Sequence, residues 1–207
     1  MKGFVAGIII GVFLVALALL LYFLSGRAPT AVEDKPMPFE RVLANGALDA
    51  HVKKEMPTSV PIAADESAFL AGAQVYQEHC AICHALPNLD QTPLAKGMFP
   101  KPPALFKGKG VTDDPAGETY WKIANGIRLT GMPEFKHTLN DTQMWQVALL
   151  LGNANKISDA VKQQLKPPNS WGGAGPVPPI GTSVPGKPGR VPISRLRLRV
   201  RVALLPG

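Results

Sequence analysis

Two cysteines and a histidine stand together in the run Cys80-Ala81-Ile82-Cys83-His84, and no other cysteine occurs in the 207 residues. Two thiols three residues apart at the end of a helix can reach the two vinyl groups of one porphyrin. The histidine that follows is then pinned beneath the ring, its imidazole aimed at iron. C-x-x-C-H is the spacing of covalent haem attachment. A zinc site of the usual kind would need a second pair of Cys or His ligands, and a thioredoxin-like dithiol would need a surrounding βαβ pattern. The sequence offers neither a further cysteine nor that pattern. The run therefore predicts one covalently attached haem c, with Cys80 and Cys83 as thioethers and His84 as the proximal iron ligand. Both thiols are then used, so no disulfide can form and the compact part must rest on its core and its cofactor.

Haem iron takes a ligand on each face, and a methionine thioether on the second face raises the reduction potential and closes the iron to outside ligands. Six methionines are present. Met1 lies at the N-terminal end, Met37 and Met56 lie in a proline-punctuated stretch, and Met144 sits inside an apolar helix where it reads as core filler. Met98 and Met132 remain. Met98 follows His84 by only 14 residues, a short path around a ring edge. Met132 follows by 48 residues, in Thr130-Gly131-Met132-Pro133. Glycine permits and proline fixes a tight turn that can push the thioether inward. The turn chemistry favours Met132 as the distal ligand.

Several elements must position these groups. Asp65 is a good N-cap, with Glu66 complementing the helix dipole behind it. Phe69, Ala73, Tyr76 and Cys80 then recur on one helical face that leads into the cysteine pair. His79 falls just off that face and reads as an exposed residue with no role. Residues 85–114 are rich in Pro and Gly. So long a loop is unusual in a compact domain, and wrapping a large flat cofactor explains it. Asp114-Pro115 opens a second helix, with Asp as cap and Pro at the first position, and Asn125-Gly126 ends it. Asn140 and Gln143 have the spacing of a capping box for a third, largely apolar helix through Leu151. Ser158 to Leu165 reads as a last short helix.

The flanks differ in kind. Phe4 to Leu24 is uninterrupted apolar residues and Gly. Its 21 residues would span about 31 Å as a helix, close to the hydrocarbon thickness of a bilayer. That exceeds the apolar core of a secretory signal, and Leu24-Ser25-Gly26-Arg27 is a poor cleavage site, so residues 1–26 read as a retained anchor. Residues 27–64 read as a connector. Within it Phe39 to Glu55 can form a helix with Phe39, Val42, Leu43, Ala47 and Val52 partly on one side. Asn45-Gly46 weakens that helix, and His51 reads as a solvated surface group. Residues 167–207 are dominated by Pro and Gly and then by alternating arginines, a composition that cannot build a core and reads as a disordered extension. Residues 1–165 hold fifteen basic and fifteen acidic side chains, so the net charge of +7 belongs to the end of the chain. It gives no warrant for nucleic-acid binding by the folded part.

In residues 65–166 the sequence resembles class I cytochromes c, and in particular the short membrane-anchored monohaem cytochromes of bacterial respiratory chains. The resemblance is carried by Cys80 to His84, by Trp121-Lys122-Ile123-Ala124-Asn125-Gly126, by Gly131-Met132-Pro133 and by the helix around Trp145. It implies an all-α haem domain of a few helices. It implies that Gly72 and Tyr76 sit where the first and last helices cross. It implies that a proline carbonyl, best matched by Pro103, accepts from His84, and it makes Arg128 and Trp121 candidates for a haem propionate. The expected activity is electron transfer rather than catalysis, by a haem domain held to the bacterial inner membrane and facing the periplasm. Expected partners are a quinol-oxidising complex or dehydrogenase as donor and a terminal oxidase or reductase as acceptor. The alternative expectation is a dedicated haem subunit of one such complex. A haem enzyme or gas sensor, with Met132 leaving the iron, is a further rival.

Overall fold

The computed structural model describes residues 2–107 and 114–167. The arginine-rich tail and the middle of the proline-rich loop, residues 108–113, lie outside the described residues. Among those described, every regular element is helical: α1 (Lys2–Leu24), α2 (Glu40–Glu55), α3 (Glu66–His79), α4 (Ala81–His84), α5 (Pro93–Lys96), α6 (Ala116–Asn125), α7 (Asp141–Gly152) and α8 (Asp159–Gln164).

The core is built on α3 against α7, with α6 packed on α7 and α8 packed on α3. The helix starts are set by side chains. Asp65 accepts from Ala68 N at 2.9 Å and opens α3. Asn140 and Gln143 form a reciprocal capping box on α7, with bonds of 2.9 and 3.0 Å. Ser158 caps α8. The α6 start differs from expectation by one position. Pro115 is itself the extended cap residue, and Asp114 before it pairs with Lys122 at 3.7 Å. The 85–114 loop also holds more structure than its composition suggests. Thr92 caps the single turn α5, with Pro93 at its first position, a combination that suits a helix start.

Gly72 sets how close α3 and α7 approach. A Cβ there would collide with the carbonyl of Gln146 on α7, whose carbonyl carbon would lie only 2.7 Å away. The backbones therefore touch at this crossing, and Tyr76 one turn on, fully buried, fills the space beside it.

α1 has no buried residue. It is long and apolar enough to cross a membrane or to serve as a signal sequence. α2 does not bury the stripe expected of it. Val52 is 1% exposed, whereas Phe39, Val42 and Leu43 are 69–75% exposed. The reason is helical geometry: at about 100° per residue, Val52 points opposite to Leu43. The Val52 side packs on α6. Glu55 accepts from the Trp121 indole N–H at 3.2 Å, and His51, expected to be merely solvated, pairs with Glu55 at 3.1 Å and stacks edge-on against Trp121. The Pro57 carbonyl sits so close to Gly117 that a Cβ there would overlap it. The end of the connector is thus seated on the helical core.

Replacing Gly72 with alanine should destabilise the purified protein by about 1–3 kcal/mol, because the clash is with backbone that cannot step aside. The measurement is the denaturant midpoint at unchanged m. Gly46→Ala in α2, where nothing lies within 4 Å of an added Cβ, should leave the midpoint unchanged or raise it slightly.

Candidate functional site

Cys80 ends α3, and the chain continues into the single turn of α4 through bonds from Cys83 N and His84 N to the Cys80 carbonyl, 3.1 and 2.9 Å. This puts both sulfurs and the imidazole on the wall of one cavity of about 450 Å³. Ala85 then turns the chain away at φ 62°, a left-handed conformation costly for a residue with a side chain. The Tyr76 hydroxyl holds that exit by donating to the Ala85 carbonyl at 2.7 Å, fully buried. The Tyr76 ring meets Phe106 edge-on at 5.0 Å. Burial pushes the Tyr76 phenol well above its ordinary value, so it remains a neutral donor at all physiological pH.

The proline-rich loop closes over the turn through two side chains that the sequence pattern did not single out. Gln91 Nε2 donates to the carbonyls of Cys83 and Pro102, at 3.3 and 2.5 Å. Thr92 Oγ1 donates to the Ile82 carbonyl at 2.7 Å. The Thr92-Pro93 pair was the available signal for one of them, since a residue that caps a helix is held in place. Between these staples the Pro103 carbonyl stands 2.8 Å from His84 Nδ1. A carbonyl only accepts, so Nδ1 carries the proton and Nε2 is the bare nitrogen. Burial holds the His84 imidazole below its ordinary value, against the Pro103 bond, which acts the other way. A neutral ring is the form that binds a metal. Burial, with Cys83 adding to it, pushes the free Cys80 thiol up to about 12.

Met132 and Met98 both line the same cavity. Met132 comes from a short closed loop. Ile127 N donates to the Met132 carbonyl at 3.2 Å, Thr130 Oγ1 accepts from Met132 N at 3.1 Å, and that hydroxyl donates to the Ile127 carbonyl at 2.6 Å. Gly126 opens the loop at φ 65°. Two further bonds, Phe135 N to the Ile123 carbonyl and Lys136 N to that of Ala124, tie its far side to α6. Met98 approaches from the proline-rich loop, its methyl group lying against Gly131, where a Cβ would overlap it. Among the described residues its backbone carries a single bond, from Met98 N to the Ala95 carbonyl at 3.3 Å. The cavity thus gathers Cys80, Cys83, His84, Pro103, Met98 and Met132. His79, expected to face solvent, also lines it and meets Phe135 edge-on at 6.2 Å. Arg128 and Trp121 do not line it. Arg128 is exposed, and the Trp121 N–H is turned to Glu55.

The donor set fits a covalent porphyrin. Two thiols and an imidazole with a bare nitrogen share one wall, thioethers reach the same space, and the remaining lining is almost entirely apolar. No cluster of three or more His, Cys, Asp or Glu able to hold a bare metal ion occurs among the described residues.

The family model described as cytochrome c oxidase, cbb3-type, subunit III matches residues 67–151. Residues 67–151 are a c-type cytochrome domain. A domain of this kind implies covalently bound haem c and supports haem-based electron transfer. No curated protein matches the chain. Among solved structures the chain is similar to a chain of the Kuenenia stuttgartiensis reducing HAO-like protein complex, with 21% identity over 61% of this chain and 53% of that one, at a TM-score of 0.42. The chain therefore spans about half the length of that neighbour.

Gly126→Ala tests the seating of the 126–132 loop. The new Cβ would lie 2.6–2.8 Å from the backbone of Met132, Pro133 and Glu134, at a φ that alanine avoids. The variant should lose about 1–3 kcal/mol of stability, read by thermal unfolding. Ala85→Gly, which relieves the left-handed alanine, should move the midpoint the other way.

Proposed function

We propose that this protein is a membrane-tethered electron carrier whose haem faces the bacterial periplasm, with Cys80 and Cys83 as thioethers, His84 and Met132 as axial ligands, and Pro103 as the group that orients His84. The observation that carries the reading is the 2.8 Å contact between His84 Nδ1 and the Pro103 carbonyl. It leaves Nε2 as the free nitrogen in a cavity that Met132 also enters. In this reading residues 1–26 are the anchor, 27–64 the connector, 65–166 the haem domain and 167–207 an appended tail. The sequence argument for an exported domain is that c-type attachment normally takes place outside the cytoplasm.

Bound haem supplies one-electron cycling between ferrous and ferric iron. The chain's own groups make that cycling easy. Pro103 fixes the tautomer and ring plane of His84, and such partners of a ligating histidine also raise its basicity. The Thr130 and Ile127 bonds hold the Met132 backbone in place, so little has to rearrange when charge changes. Ile123, Val147 and Leu151 give the cavity an apolar lining. Two protein ligands leave no open position for substrate, which is why carriage rather than catalysis is proposed. Met132 is preferred to Met98 because its backbone is tied on both sides, whereas Met98 rests on a single loop bond.

The donor would be a quinol-oxidising complex or a dehydrogenase, and the acceptor a terminal oxidase or reductase. A second reading, a dedicated haem subunit of one oxidase complex, is favoured by the family description, which names a subunit of an oxidase. Recovery of the chain in a stable oxidase complex after gentle solubilisation would select that reading, and recovery of the free protein would select the carrier.

Met132→Ala should abolish the weak near-infrared sulfur-to-iron band of the oxidised protein, lower the reduction potential and let carbon monoxide bind the reduced form. Met98→Ala should keep the band. The opposite pattern would assign the ligand to Met98, and carbon monoxide binding by the unmodified protein would favour a sensor or enzyme.

A further inference from the structure

We propose that α2 lies on the bilayer surface, with the face that carries Phe39 and Leu43 sunk into the interface and Lys53 and Lys54 at the level of anionic headgroups. This rests on the tethered reading above and adds to it a fixed orientation for the haem domain.

α2 has two unlike sides. One side, around Val52, is seated on α6 through Glu55, His51 and Trp121. The other carries Phe39, Leu43, Gly46 and Ala50, which recur at the +4, +7 and +11 spacing of one helical face. All four are exposed, Phe39 at 75% and Leu43 at 70%, with Val42 beside them at 69%. Lys53 and Lys54 continue this face by one more turn. Asp49 stands at its margin next to Val42, and Glu40, at the other margin, is turned back to accept from Met37 N at 2.8 Å. The strip ends in lysines whose stems can run along it while their ammonium groups reach the headgroup level.

Phe39 adds a second observation. It caps α2 in the left-handed region at φ 63°, which is costly for a bulky residue. Its ring nevertheless projects outward, so packing within the chain does not account for the conformation.

The occupant follows from the chain itself. α1 is the one span candidate among the described residues and ends at Leu24, while α2 begins at Glu40. The 15 residues between them reach at most about 50 Å when fully extended. If α1 crosses the bilayer, the Phe39 end of α2 is held within that distance of the surface. The basic end of the strip suits anionic lipid. Because the opposite side is docked on α6, a helix lying on the membrane would hold the haem cavity at one tilt.

The haem is its own probe of that tilt. The full-length haem-loaded protein would be reconstituted in phosphatidylcholine–phosphatidylglycerol bilayers and dried into oriented multilayers, and the linear dichroism of the haem bands measured with sample tilt. The expected result is clear dichroism for the unmodified chain and a dichroic ratio falling to one for the Phe39→Asp, Leu43→Asp double variant. That variant alters only exposed side chains, and an unchanged haem spectrum and unfolding midpoint would verify its fold. A second variant, Phe39→Ala with Leu43→Ala, keeps helix propensity high and should also reduce the dichroism. Isotropic haem in the unmodified chain, or dichroism that survives both variants, would overturn the proposal. So would haem that becomes oriented only when an oxidase is added, since a protein partner would then cover the face. An alkaline carbonate wash separates the two readings. Release of the chain from the bilayer sinks the tether and the docking together, whereas retention with isotropic haem sinks the docking alone.

Discussion

One hydrogen bond decides what the cavity can do. With Nδ1 committed to the Pro103 carbonyl, His84 has a single nitrogen left and a single direction in which to offer it. The bond would have little value if the carbonyl were free to move. It is fixed from its own side by Gln91, which holds the neighbouring Pro102 carbonyl and the Cys83 carbonyl together, and by Thr92, which reaches back to Ile82. The proline-rich loop is therefore a brace that runs from the cysteine turn to the carbonyl that aims the histidine. Its prolines lower the number of conformations it must give up to do so.

The same economy of movement appears in the core. α3 and α7 touch backbone to backbone at Gly72, and that contact sets the position of the α3 terminus from which Cys80, Cys83 and His84 project. Tyr76 links the two levels: its ring fills the core beside the crossing, and its hydroxyl holds the Ala85 carbonyl at the exit of the cysteine turn. On the other side, α6 supports the Met132 loop through bonds from Phe135 and Lys136. The proposed carrier role would benefit from ligands that stay in place when charge changes, and both the cysteine turn and the Met132 loop are anchored to packed helices.

What could be read from the sequence was local. The caps at Asp65 and Asn140 were legible because each joins a side chain to a backbone group three residues on, and the stop at Gly126 because glycine tolerates a positive φ. The cysteine-histidine run was legible because its spacing alone restricts what it can hold. What depended on long-range placement was not. The side of α2 that packs could not be chosen from its pattern, because both sides carry apolar residues and only the position of Trp121 selects between them. His79 looked peripheral on the α3 wheel, yet it lines the cavity beside Phe135, which arrives from a distant part of the chain. Arg128 and Trp121 lie close to the right motifs in sequence, but neither is among the residues that line the cavity. Gln91 gave no sign, since a glutamine that bridges two carbonyls resembles any other polar loop residue until the carbonyls converge.

The most direct test of the central claim is whether pigment stays with the chain. Acid–acetone extraction of the protein expressed with a working haem-maturation system, followed by the pyridine haemochrome spectrum of the residue, reads both the attachment and the number of vinyl groups consumed. The account predicts that the colour remains in the protein fraction, with the spectrum of a haem bound through two thioethers, and that Cys80→Ala or Cys83→Ala shifts that spectrum towards one. Colour that passes into the organic layer, or a colourless protein containing zinc, would contradict it.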